Sequence, residues 1–133
     1  MAQKSTPAVG WIVSLHDDFE PEFERLPPSI QDALLAAAKA VQIAGPKAGR
    51  PHVDTLKGSK HANMKELRFE GQKGSEEWRA AFAFDPERKA VILVAGGKQG
   101  KKEKLFYKKL IGDADRRFDA HLERIGARRK RSG

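Results

Sequence analysis

Two arginines, Arg68 and Arg79, sit in segments whose polarity alternates residue by residue, the pattern of strands with one buried face. In 64–70, Leu67 and Phe69 share one face and Arg68 takes the other; in 78–84, Trp78, Ala80, Phe82 and Phe84 share a face opposite Arg79. Paired as a hairpin, the two segments would bring both guanidiniums onto one open, solvent-facing surface. Two planar forks side by side hold neighbouring phosphate oxygens bidentately, which an ammonium cannot do. The bland alternative is a pair of solvated strand residues, whose replacement would leave folding nearly intact. Downstream, Gly96-Gly97-Lys98-Gln99-Gly100-Lys101-Lys102-Glu103-Lys104 combines three glycines with four lysines, so its backbone can approach a polyanion closely. It lacks the Gly-Lys-Ser/Thr ending of a nucleoside-triphosphate loop, and its alternative is a solvated lysine cluster. Tyr107, the only tyrosine, follows it and reads by periodicity as an amphipathic residue on the rim of the last helix.

Other chemistries are poorly served. The chain has no cysteine, which removes disulfides, thiolate zinc sites and a cysteine nucleophile together. The four histidines, His16, His52, His61 and His121, are scattered without close-ligand spacing, so we expect no metal site and no cofactor. No Gly-X-Ser-X-Gly turn is present for serine hydrolysis.

The elements that would position these residues follow from hydrophobic spacing. Val9, Trp11, Val13 and Leu15 predict a first strand. Asp17 or Asp18 offers an N-cap to a short helix carrying Phe19, Phe23 and Leu26, and Pro27-Pro28 ends it. Ser29 would cap a second helix, whose stripe of Ile30, Leu34, Ala37 and Val41 stops before Gly45-Pro46. Residues 45–63 read as one long loop. Strands then follow at 64–70, 78–84 and 90–95, the first two joined by a turn over 71–77 and the last two by Asp85-Pro86-Glu87-Arg88. Ile111, Ala114, Phe118, Leu122 and Ile125 mark a C-terminal helix that Gly112 would kink or split. The order describes an α+β domain, a mainly antiparallel sheet with its helices on one face. We expect a single domain over 1–125 and a disordered basic tail over 126–133.

Charge narrows the partners. Residues 1–44 hold three Lys/Arg against six Asp/Glu, so the remainder carries +11 of a net +8. Such asymmetry favours a polyanion, nucleic acid above all, over a membrane or a neutral metabolite. No secretory signal and no membrane-length apolar run is evident, so the expected compartment is the cytoplasm.

The run Gly49-Arg50-Pro51-His52-Val53-Asp54-Thr55-Leu56-Lys57-Gly58-Ser59, followed by Asn63-Met64-Lys65-Glu66-Leu67-Arg68, resembles the phage-derived, HigB-like branch of the RelE/ParE toxin superfamily. The resemblance continues through 79–86, Gly96-Gly97-Lys98, Phe106-Tyr107 and Ala114-Asp115-Arg116, and covers about residues 11–122. It implies a RelE-like fold, an N-terminal αα-hairpin packed on a curved, mainly antiparallel sheet, with a C-terminal helix. It also implies the toxin of a type II toxin–antitoxin system, a metal-independent, ribosome-dependent mRNA endonuclease. Its partners would be mRNA, the ribosome and a cognate antitoxin, a small helix-turn-helix protein. Under that reading Arg68, Arg79, Lys98 and Tyr107 are the catalytic set. Lys57, Lys65, Lys101, Lys102 and Lys104 contact RNA, and His52 and His61 are reserve acid/base candidates. Two alternatives share the fold: a ParE-like inhibitor of DNA gyrase, and a non-catalytic RNA- or ribosome-binding module.

Overall fold

The computed structural model describes residues 10–71 and 76–132. The strand at β1 (Ile12–Leu15) is followed by α1 (Glu20–Glu24) and α2 (Pro28–Ala44), then β2 (Val53–Thr55), β3 (Met64–Glu70), β4 (Glu77–Phe84), β5 (Lys89–Gly97) and α3 (Glu103–Ser132). Among the described residues these strands form one sheet in the order β1-β5-β4-β3-β2. Only β1 runs parallel to its neighbour; the other pairings are antiparallel. This is the α+β architecture the resemblance implies.

The helical hairpin starts differently from the expectation. Pro27 precedes α2 and Pro28 occupies its first turn, so neither Ser29 nor any other side chain caps it; the fixed φ and missing N–H of proline suit that position already. Asp17 and Asp18 do not cap α1 either: buried Phe19 occupies the cap position. Gln31 ties the two helices together, its Nε2 donating to the carbonyls of Leu26 (2.9 Å) and Glu24 (3.3 Å). The stripe of Ile30, Leu34, Ala37 and Val41 is buried, as its spacing predicts, against Leu67, Phe69, Phe82, Phe84 and Ile92. Trp11, Val13 and Leu15 pack on the same core, whereas Val9 lies outside the described residues.

The helices do not share one face. A second core, built from Met64, Ala81, Ala83, Val91, Leu93 and Val94, lies on the opposite side of the sheet beneath Phe106, Leu110, Ala114 and Phe118 of α3. Ala81 and Ala83, on the Arg79 face of β4, are small enough for a helix to lie close. A β-bulge where Ala81 and Phe82 pair with Val94 and Ile92 leaves Leu93 unpaired, which turns both Leu93 and Val94 towards α3. Three further expectations change. The 45–63 segment contains a 3₁₀ turn, Gly45–Lys47, and the edge strand β2. Gly112 neither kinks nor splits α3, which is one helix, and residues 126–132 form its last turns in place of a disordered tail. Most of the turn expected at 71–77 lies outside the described residues. No helix among the described residues is long and apolar enough to cross a membrane.

Candidate functional site

Arg68 and Arg79 are direct cross-strand partners in β3 and β4, so their side chains leave the sheet together on the α3 side. The surface is less open than the sequence suggested. The Arg68 side chain is 33% exposed and that of Arg79 only 11%. What draws them inward is Glu66, buried on the same face because it stands two residues before Arg68 in β3. Its Oε2 accepts from Arg68 Nε (3.1 Å) and Nη2 (2.9 Å), and its Oε1 accepts from the Tyr107 hydroxyl at 2.7 Å. Arg79 Nε lies 3.8 Å from Glu66 Oε1, buried and without a hydrogen-bond partner among the described residues. The other Arg79 nitrogens donate to the Trp78 carbonyl (2.9 Å) and Glu77 Oε1 (3.2 Å).

Tyr107 is delivered by the first turns of α3, and Lys98 by the end of β5, where its N–H donates to the Glu77 carbonyl. The Lys98 ammonium sits 5.5 Å from the Tyr107 ring centroid and 3.3 Å from Glu103. Gly96 lets Phe106 pack closely beneath this corner, since a Cβ there would lie 3.2 Å from its ring. Burial, and then the Glu66 carboxylate that accepts its proton, push the Tyr107 phenol up to about 12. Hydrogen bonding to Glu66 likewise raises Arg68 above its already high ordinary value. Asp54 closes the outer side, accepting from Arg68 (3.3 Å) and from Arg50 (2.8 Å); the bond to Arg50 holds its carboxyl below the usual range.

The structure thus gathers Arg68, Arg79 and Tyr107 around one carboxylate that sequence reading missed, and sets Lys98 beside them over the Tyr107 ring. The signal was available, since Glu66 shares the parity of Arg68. Of the reserve histidines, His52 lies beside this group without joining it: its carbonyl accepts the Arg68 N–H (2.7 Å), which sets it in register opposite Arg68. His52, Arg68, Glu77 and Arg79 line a cleft of about 560 Å³ that is walled on its other side by Ala33, Ala36 and Ala37 of α2, and Glu66, Lys98 and Tyr107 are not among its lining residues. His61 does not belong. It bonds Asp119 at 2.8 Å and packs on Phe118, twelve residues and so about 18 Å along α3 from Tyr107. Lys65 is also separate, because it bonds its cross-strand partner Thr55 on the hairpin side of the sheet. Lys101, Lys102 and Lys104 are exposed beside the site at the start of α3, Lys101 lying 5.9 Å from the Phe106 ring centroid, and Lys57 is exposed in the loop after β2.

A buried carboxylate, a phenol held protonated and three cations form a set that can accept one proton, donate another and stabilise charge on a phosphate between them. The fold and this cluster define a RelE-like α+β protein. Residues 21–119 match the family model described as phage-derived protein Gp49-like. The chain is 39% identical over 115 residues to the "Putative toxin HigB2" of Mycobacterium tuberculosis, an alignment covering 86% of this chain and 56% of that protein. It is 39% identical over 95 residues to "Putative toxin HigB3" of the same organism, covering 69% of this chain and 79% of that one. The chain therefore belongs to the phage-derived Gp49-like family, in the HigB-like branch of the RelE/ParE superfamily. It spans just over half the length of the HigB2 relative. No solved structure matches it.

Proposed function

We propose that this protein is the toxin of a type II toxin–antitoxin pair and cleaves mRNA, in the ribosome, without a metal. The observation that carries the reading is the convergence of Arg68, Arg79 and Tyr107 on Glu66, with the Lys98 ammonium over the Tyr107 ring at 5.5 Å. The scissile phosphate lies between the two guanidiniums, and Arg79 Nε, buried and unpartnered, donates to one of its non-bridging oxygens. The ribose 2′ oxygen attacks phosphorus while its proton passes to the Glu66 carboxylate. The bond from phosphorus to the 5′ oxygen breaks, and Tyr107, protonated across the physiological range, supplies that oxygen with a proton. Lys98 stabilises the extra negative charge of the pentacoordinate state. The products are a 2′,3′-cyclic phosphate and a 5′-hydroxyl. An acidic segment of a co-encoded antitoxin would compete for the same cations and hold the toxin silent.

Induced expression followed by mapping of mRNA 5′ ends tests the proposal. Codon-phased cuts bearing 5′-hydroxyls support it. A 5′-phosphate at the cut overturns the mechanism, and a DNA-damage response without cuts assigns the fold to gyrase inhibition instead.

A further inference from the structure

The far end of the molecule holds a second polar recess that the Glu66 cluster does not use. His16 follows β1 and is 3% exposed, yet its Nε2 has no hydrogen-bond partner among the described residues. Its other nitrogen is committed, because Nδ1 accepts the Asp18 N–H at 3.1 Å. The ring proton therefore lies on Nε2, making it a buried donor without an acceptor, a costly arrangement unless something fills the space. Burial lowers the His16 pKa, consistent with a neutral ring.

That space exists. His16 lines a pocket of about 260 Å³ together with Lys89, His121, Arg124, Arg128 and Asp17. The acidic groups at the pocket are engaged but do not exhaust the cations. Asp17 takes one terminal nitrogen of Arg124, and Glu87 takes one of Arg128 at 3.0 Å; each guanidinium has five N–H donors. Asp85 is consumed by His121 Nε2 at 2.8 Å and by the N–H groups of Glu87 and Lys89. No carboxylate holds the Lys89 ammonium among the described residues. The imidazole, the two guanidiniums with their remaining N–H groups, and the ammonium line one recess, a donor set that suits a tetrahedral oxyanion.

We propose that this pocket binds a phosphate group, either a backbone phosphate of RNA or free phosphate. It lies fourteen residues along α3 from Tyr107, about 21 Å, so it is a site distinct from the cleavage cluster. Its test does not depend on catalysis. Inorganic phosphate titrated into the intact protein should shift the His16 imidazole signals in NMR spectra saturably, beyond the effect of chloride at equal ionic strength. An Arg124→Ala/Arg128→Ala double variant changes two half-exposed side chains and should fold normally, while weakening phosphate binding at least tenfold. Arg68→Lys should leave it unchanged. Shifts matched by chloride, or a double variant that titrates like the parent, overturn the proposal. A short single-stranded RNA separates the sources. If it moves the His16 signals at concentrations below those needed for phosphate, the ligand is a polynucleotide backbone; if phosphate alone saturates the site, it is a free anion. Either result supports the pocket.

Discussion

Tyr107 carries the only phenol in the chain, so its ionisation can be followed through tyrosinate absorbance without interference. Burial and the Glu66 carboxylate predict a midpoint about 12, above the ordinary 10, and Glu66→Gln should bring it down. A midpoint near 10 in the unaltered protein would contradict the Tyr107–Glu66 contact. Because the folded phenol ionises later than the unfolded one, its contribution to stability is complete below pH 10 and is lost as pH rises towards 12. Glu66→Gln should also lower cleavage by about 10²–10⁴, the range for loss of a general acid or base. The carboxamide still accepts from Tyr107 but cannot take the 2′ proton. Arg68→Ala and Arg79→Ala remove partners from a buried carboxylate, and we expect each to destabilise the fold by about 1–3 kcal/mol. This replaces the expectation of near-silent folding effects, since Arg79 is mostly buried. Lysine at either position keeps the charge and loses the fork, so thermal melts together with cleavage rates of the Lys variants separate chemistry from folding. Strand parity put Arg68 and Arg79 on one face, and the hairpin register then makes them direct partners. It could not show that α3 would lay Tyr107 over Glu66, because that contact spans forty-one residues and depends on how the last helix crosses the sheet.

At the scale of elements, the bulge in β5 connects the two faces of the sheet. The carbonyl of Leu93, the unpaired residue of the bulge, accepts from Arg117 Nη1 at 2.7 Å. The same guanidinium pairs with Glu22 of α1 at 3.0 and 2.6 Å, a contact that raises its pKa further. One side chain of α3 thereby fastens the helical hairpin to the opposite layer. Arg117→Ala leaves a partly buried carbonyl and a carboxylate without their donor, and should cost about 2–3 kcal/mol in a denaturant melt. Arg117→Lys should recover part of that by keeping the bond to Glu22. A variant within about 0.5 kcal/mol of the parent, the scatter of ordinary surface changes, would show that the clamp contributes nothing. Gly45 makes the complementary point at the end of α2. It holds φ at +60°, and a Cβ there would lie 2.4 Å from the Trp11 indole, so Gly45→Ala is both strained and overpacked. Periodicity located β1, both hairpin helices, β3, β4, β5 and the core stripe of α2. It missed β2, three residues long, because so short an edge strand has no period to detect. It also put all helices on one face, because the Arg79 face of β4 reads as open when Ala81 and Ala83 are the floor beneath α3.

For the whole molecule, the uneven charge noted in the sequence acquires a direction. The helical hairpin over 20–44, where four Asp/Glu outnumber two Lys/Arg, lies over one face, while α3 crosses the other and ends in Arg128, Arg129, Lys130 and Arg131. Cations at that end also suit the helix, whose C-terminal carbonyls carry partial negative charge. Exposed arginines and lysines there make few tertiary interactions, the Arg128–Glu87 pair being one. The terminal turns should therefore matter more for polyanion binding than for folding. Deleting residues 126–133 removes four positive charges and leaves in place Ile125, the last buried residue of α3 among the described residues. Thermal stability should fall by less than about 1 kcal/mol, the value of a single exposed ion pair. Affinity for single-stranded RNA should drop, and the slope of log K against log salt should become shallower by up to about 2.8, at roughly 0.7 for each phosphate that these cations neutralise. An unchanged salt slope would mean that these turns do not meet the RNA. A large loss of stability would mean that they are held to the body of the protein by more than the Arg128–Glu87 pair.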